Sequence, residues 1–242
     1  EDYRTEEDSL GEVQVPADCD LTWQVLNDPQ QQVTHTREDR AGGTLHRWRR
    51  ARAPQLIPEP MIPPWEDLIP RLVLSTDSRS WEALAREYEE LLTEHGTAFD
   101  SLPEPPARTA EGLWKHLSRT VSETPVSVLA SGLLPNDPAE TWQLRNGSPL
   151  DRCYLYYRWL QELEIPCRWG WVRSRRDGAL AEDAPALSAF HSPAVYVGEP
   201  GGGRWQMLGD ELAAVGEPIA RFGNAPVLAA GTGLSRVPLP DP

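Results

Sequence analysis

A chain of 242 residues is long enough to bury one large core or two modest ones. Its net charge of −14 argues against nucleic acid and anionic membrane surfaces as partners, and no run of about 18 apolar residues is present to span a membrane. Ten tryptophans and 24 prolines point to a globular protein with many loops and extended segments, and away from a helical bundle. Cys19, Cys153 and Cys167 are an odd set without a close pair or zinc-ligand spacing, so no metal and no other cofactor is expected. The chain has no initiator Met and no signal-peptide pattern, and reads as a mature product or a piece cut from a longer one.

Residues 1–12 are acidic and polar and are expected to fray. Val13-Gln14-Val15, Leu21 to Leu26, Gln32 to Thr36 and Thr44 to Arg49 read as short strands, separated by Pro16, Asp28-Pro29 and Gly42-Gly43. His35 and His46 fall within these strands and are expected at exposed positions, since two histidines alone make no metal site. The basic run Arg47 to Arg52 reads as a solvated strand edge. Residues 53–70 are rich in proline, which precludes a helix and favours an extended connector, and Val73 to Ser75 can form one more strand. Ser80 is the expected cap of a helix from Trp81 to His95, striped by Trp81, Leu84, Tyr88 and Leu91 or Leu92 and ended by Gly96. A second helix, about Thr109 to Ser122, uses Leu113, Trp114, Leu117 and Val121. Residues 123–141 read as a loop rich in Ser, Pro and Gly.

The rest of the chain is organised around residues 140–172, read as a loop, a sharply capped helix and a strand. Ser148 suits the N-cap, Pro149 the first helical position and Asp151 the first turn, where the helix dipole favours negative charge. Leu150, Cys153, Tyr154, Tyr157, Leu160 and Leu163 recur at three- and four-residue steps and define a buried face. Pro166 stops the helix, and Arg168 to Arg173 reads as a strand. After a charged loop, Ser174 to Ser188, the strand of Phe190 to Gly198 is reversed at Gly201-Gly202-Gly203 so that Trp205 to Leu208 pairs back. Residues 214–242 are rich in Pro and Gly and are expected to wrap the surface.

The stretch Arg145-Asn146-Gly147-Ser148-Pro149-Leu150-Asp151, with Glu164-Ile165-Pro166 at the following corner, resembles the core of the bacterial transglutaminase-like superfamily. That family opens its central helix with Arg-x-Gly-Asp-Cys-x-Asp. Arg145, Gly147 and Asp151 match the pattern; Ser148 stands where the family has Asp, and Pro149 where it has the nucleophilic Cys. Phe190-His191 before an apolar strand matches the family's catalytic His, and Asp210 is the nearest acid to the third position, a residue or more out of place. Trp48, Glu59-Pro60, Val73-Leu74-Ser75-Thr76 and Trp81 resemble the end of a β-sandwich domain that often precedes this core. The resemblance implies an α+β fold: a transglutaminase-like (papain-like) core over residues 77–242, its central helix packed on an antiparallel sheet, preceded over residues 1–76 by the C-terminal part of a β-sandwich. Strands upstream of that part are expected to be missing, which leaves an open sheet edge.

The family's chemistry is acyl transfer by a Cys at a helix N-terminus, held as thiolate by the dipole and a nearby imidazolium. Proline offers no nucleophile. Ser148 is wanted as the cap, Cys153 lies about 6 Å further along the helix axis, and Cys167 lies at the far end. Pro149, His191 and Asp210 are therefore read as a vestigial triad. The expected function is that of a catalytically inactive domain that binds or scaffolds within a larger extracytoplasmic assembly, its partner another protein or the remainder of its own longer chain. One alternative is a cysteine-dependent amidase, peptidase or transglutaminase with a displaced nucleophile. Another is a peptide- or glycan-binding module stacking its ligand on Trp142, Trp169 and Trp171.

Overall fold

A computed structural model describes residues 7–53, 65–77, 79–99, 101–124, 132–199, 202–206 and 222–238. The chain divides into two compact units: residues 1–79 with 176–186, and residues 80–175 with 187–242.

In the first unit, β1 (Glu7–Pro16), β4 (Gly43–Ala53) and β3 (Val33–Arg40) form a three-stranded antiparallel sheet in the order β1-β4-β3, while β2 (Thr22–Leu26) pairs with β5 (Arg71–Ser75). Register puts Gly11, Trp48 and His35 side by side on one face, and Trp23 of β2 packs against both His35 and Trp48. The two sheets thus meet face to face. The outer edges of β1 and β3 carry no partner strand among the described residues.

Several expectations are corrected here. Residues 7–12 belong to a paired strand, so fraying stops short of them. The arginine-rich strand is central, not an edge. One of its faces is open to solvent, and there Arg47 pairs with Glu12 and, at 2.9 Å, with Glu38. His35 and His46 are half-buried; their ring nitrogens are 3.1 Å apart and both rings stack on Trp48. Of the proline-rich connector, residues 54–64 lie outside the described residues, and Trp65–Leu68 forms one helical turn, α1, where no helix was expected. The charged loop after residue 174 contributes residues 176–186 to this unit: Arg71 donates to the carbonyls of Asp177 and Ala179, Ser75 Oγ to that of Pro185, and the Ala179 amide to Asp67.

In the second unit, α2 (Trp81–Gly96) is capped by Ser80 and α3 (Ala110–Thr120) by Thr109, each side chain accepting from a first-turn amide. The segment expected as a loop before the central helix holds a helix of its own, α4 (Pro138–Leu144), started by Asp137 as cap and Pro138 at the first position. The central helix α5 (Pro149–Glu162) is buried almost all round: from Leu150 to Leu160 only Arg158 is not fully buried. It is a core helix with more than the one buried face its periodicity shows. Leu163 closes it, Glu164 turns left-handed at φ 54°, and Pro166 prevents continuation.

The sheet that α5 packs on is antiparallel and five-stranded, in the order β10-β9-β8-β11-β12. The expected strands are present as β8 (Cys167–Val172), β9 (Ser192–Val197) and β10 (Arg204–Gln206). The tail expected to wrap the surface instead supplies β11 (Pro226–Ala229), which makes β8 central, and β12 (Gly233–Arg236). Val172, Ala194, Phe222, Ala225, Val227 and Val237 form one buried cluster of this sheet, with Trp205 packed on it. Gly170 makes room for Trp205, whose ring lies 2.4 Å from where a β-carbon would stand.

Candidate functional site

The start of α5 is built by local chemistry. Ser148 Oγ accepts from the Asp151 amide at 3.2 Å, and the Asp151 carboxylate accepts in return from the Ser148 amide and hydroxyl, each at 2.8 Å, a closed capping box. The same carboxylate accepts from the amide and side chain of Asn136, at 2.7 and 3.2 Å. Asp151 is only 4 % exposed, and these four donors offset the desolvation of a buried charge. Arg152 turns its guanidinium to Glu123 at 2.8 Å.

The residues leading into the helix are held as firmly. β6 (Ser122–Glu123) pairs in parallel with β7 (Asn146–Gly147), with the Ser122 amide on the Arg145 carbonyl and the Thr124 amide on that of Gly147. Arg145 adopts φ 53° and lays its guanidinium 3.7 Å from the Trp142 ring centroid. At Gly147 a β-carbon would stand 2.9 Å from Thr141 and 3.1 Å from Asp151. Arg145, Gly147 and Asp151 thus each shape the approach to the helix. A polar cavity of about 310 Å³ opens beside it, lined by Asn136, Glu140, Thr141, Asn146, Ser148 and Asp151 among others.

Pro149 occupies the first position of α5 and presents no reactive group. The helix and β8 are each about 20 Å long, and β8 returns along the helix with Trp169 against Tyr154 and Tyr157. The last residue of β8, Val172, pairs with Ser192. This topology brings His191 to the end of the sheet nearest the helix N-terminus. Its Nδ1 is buried and has no hydrogen-bond partner among the described residues. Asp210 lies outside the described residues; Gln206 in β10 is the last described residue before it and accepts a hydrogen bond from the Tyr156 hydroxyl.

None of Cys153, Cys167 and Ser148 is poised as a nucleophile. Cys153 is fully buried within α5, and burial drives its thiol pKa far above the ordinary range, with Arg152 opposing only in part. Cys167 is half-buried at the start of β8, opposite Val197 and therefore at the far end of the sheet from His191; burial pushes its thiol up to about 11. The Ser148 hydroxyl is occupied in both directions. Two of the three candidate stacking residues are also unavailable: Trp169 and Trp171 are each 1 % exposed and pack edge-on against one another, because both alternate inward from β8. Trp142 is half-buried, between Arg145, His116 and Trp159. Asn136 was missed from the sequence. Its signal was present in Asp137-Pro138, which repeats the cap-then-proline pattern of Ser148-Pro149 one helix earlier.

The fold is α+β, a buried helix on an antiparallel sheet, with a separate unit of face-to-face strands. It is similar to a crystal structure described as that of "a putative protease" from Parabacteroides distasonis, with a TM-score of 0.72 and 20% sequence identity. The similarity covers 98% of this chain and 46% of that one, so the chain spans less than half the length of that structure. At this identity the likeness concerns the fold alone. No protein-family model matches the chain, and no curated protein sequence matches it.

Proposed function

We propose that residues 77–242 are a transglutaminase-like domain that has lost its nucleophile, and that residues 1–76 are the C-terminal part of a β-sandwich joined to it. In this reading the protein is a non-catalytic binding or scaffolding component of a larger extracytoplasmic assembly. The observation that carries it is Pro149 at the first position of α5, behind a closed Ser148–Asp151 capping box, while the thiols of Cys153 and Cys167 are held protonated by burial. The helix N-terminus keeps its positive dipole end and can hold an anion or a carbonyl without reacting.

The test combines native alkylation with an assay of ammonia or amine release from a glutamine-containing peptide. Slow alkylation of Cys153 and Cys167 at neutral pH and no turnover are expected. Rapid alkylation with loss of a measurable turnover would establish instead a cysteine-dependent enzyme. Activity gained in Pro149→Cys would place His191 and an acid near Asp210 in working positions.

A further inference from the structure

Another cavity, of about 320 Å³, lies wholly within the second unit, between α2 and α5. Its α2 wall runs about two turns, from Glu89 to Gly96, and its α5 wall about two turns, from Tyr154 to Gln161. The helices meet at Gly96. A β-carbon there would stand 2.6 Å from both Arg158 Nη1 and the Tyr154 hydroxyl, so the α2 backbone lies directly against both. Arg158 Nη1 donates to the Gly96 carbonyl at 3.4 Å and to the Tyr154 hydroxyl at 3.1 Å. These bonds hold the guanidinium in place while its Nε and Nη2 have no acceptor among the described residues. Glu89 lines the same cavity, half-buried like Arg158, and its carboxylate has no donor among the described residues. Two opposite charges thus share one cavity without pairing, whereas Arg152 and Lys115 of this unit hold Glu123 and Glu111. Burial keeps the Tyr157 phenol protonated; Glu89 works in the same direction and Arg158 against it, so the phenol lies within reach of both charges. Its hydroxyl has no hydrogen-bond partner among the described residues. The Thr93 and Thr97 hydroxyls are spent on carbonyls of their own helix, and Leu92, 3 % exposed, adds apolar wall.

We infer that this cavity binds a zwitterion: a carboxylate and an ammonium on one small apolar body, as in a free amino acid or a short unblocked peptide with apolar side chains. The carboxylate takes the free donors of Arg158, the ammonium takes Glu89, and the apolar part lies on Leu92 and the rings of Tyr154 and Tyr157. A simple anion would meet the like charge of Glu89, and a simple cation that of Arg158. An uncharged ligand would cover both groups and pair neither. The cavity has the size of a small-molecule site, with apolar walls and a few polar groups to orient the ligand. The inference does not rest on Pro149, because none of these residues belongs to the start of α5.

The probes are leucine and the dipeptide Leu-Leu, each titrated into the full chain at neutral pH by isothermal titration calorimetry. Saturable binding of at least one is expected, and the tighter of the two tells a free amino acid from a peptide. Acetylating its amine or amidating its carboxylate should each weaken binding about tenfold or more, since a hydrogen bond between charged groups is lost. Glu89→Gln should weaken the unmodified ligand by a similar factor and the acetylated one much less. Arg158→Gln should do the same with the amidated ligand as the insensitive one. Glu89→Gln removes no bond of the fold and should leave the melting curve unchanged, so it carries the test if Arg158→Gln, which also loses Tyr154 and Gly96, fails to fold. No saturable binding of either probe at millimolar ligand, equal binding of the unmodified and blocked forms, or an unchanged affinity in Glu89→Gln overturns the proposal.

Discussion

The two units bury their aromatic residues in opposite ways. Around α5, Trp159, Trp169, Trp171, Tyr154 and Tyr156 are all less than 2 % exposed, and the Trp169 ring meets those of Tyr154 and Trp171 edge-on. In the first unit, among the described residues, only Trp48 reaches comparable burial. Trp23 remains 37 % exposed, and two half-buried histidines complete the layer where aliphatic side chains would be expected. One unit therefore rests chiefly on apolar burial. The other rests in part on stacked histidine and tryptophan rings and on guanidiniums facing a cavity. The first arrangement suits a rigid frame, the second a surface that meets something else.

The largest effect that can break this comparison lies in the frame. Trp169→Ala removes the ring shared by Tyr154, Tyr157 and Trp171 and should cost about 3–5 kcal/mol. Urea unfolding read by near-ultraviolet circular dichroism measures it. A loss below about 1 kcal/mol would show that Trp169 is not a core residue and would return it to the candidate stacking surface.

A smaller effect is expected at the start of α5. Asp151→Asn keeps the shape but replaces an acceptor-only group by one that also donates, against four donors already aimed at it. The expected cost is about 2–3 kcal/mol, against about 1 kcal/mol for Ser148→Ala, which removes only the cap. In the double variant the two losses should sum to less than their total, since both act on one network. Full additivity in chemical unfolding would mean that the box is not cooperative.

What the sequence made legible follows from how local each cause is. Ser148, Pro149 and Asp151 lie within four residues and act on the same helix turn, so the start of α5 could be read directly. The alternation and turn signals of β8, β9 and β10 were equally local. β11 and β12 were not legible, because Pro226 and the glycines at 231 and 233 obscure a short hairpin whose pairing with β8 joins residues far apart in sequence. The arginines of β4 misled for a related reason. Charge on a strand marks a solvent face as readily as an edge, and only Glu12 on β1 and Glu38 on β3, the two neighbouring strands, reveal which. At the candidate site the proline at the first position of α5 was legible from Ser148-Pro149 alone. The burial of Trp169 and Trp171 needed the sheet to be placed against α5.

The smallest effect concerns the ring pair of the first unit. Burial, and then the charge of His46, lower the pKa of His35 below the ordinary histidine value of about 6.5. Its neighbours supply no acid to hold a proton. Register places Arg37 opposite His46 and Arg50 two residues beyond Trp48 on the same face, while Glu12 and Glu38 lie on the other face with Arg47. The hydrogen bond between the rings also needs one nitrogen to accept, so the doubly protonated pair cannot keep it. A group whose folded pKa is depressed binds fewer protons folded than unfolded in the window between its two pKa values. Its stabilising contribution is therefore complete above the unfolded value and is lost as pH falls from about 6.5 through the folded value. His35 is only half-buried, so the loss should be modest and confined to the first unit. Thermal melts of the native chain and of His35→Phe at pH 7.5 and pH 5 test it. The native chain should lose more stability between the two conditions than the variant, which keeps a ring on Trp48 but has nothing to protonate at residue 35. An equal loss in both would assign the acid sensitivity to other groups and leave the stacked layer as indifferent to pH as the core around α5.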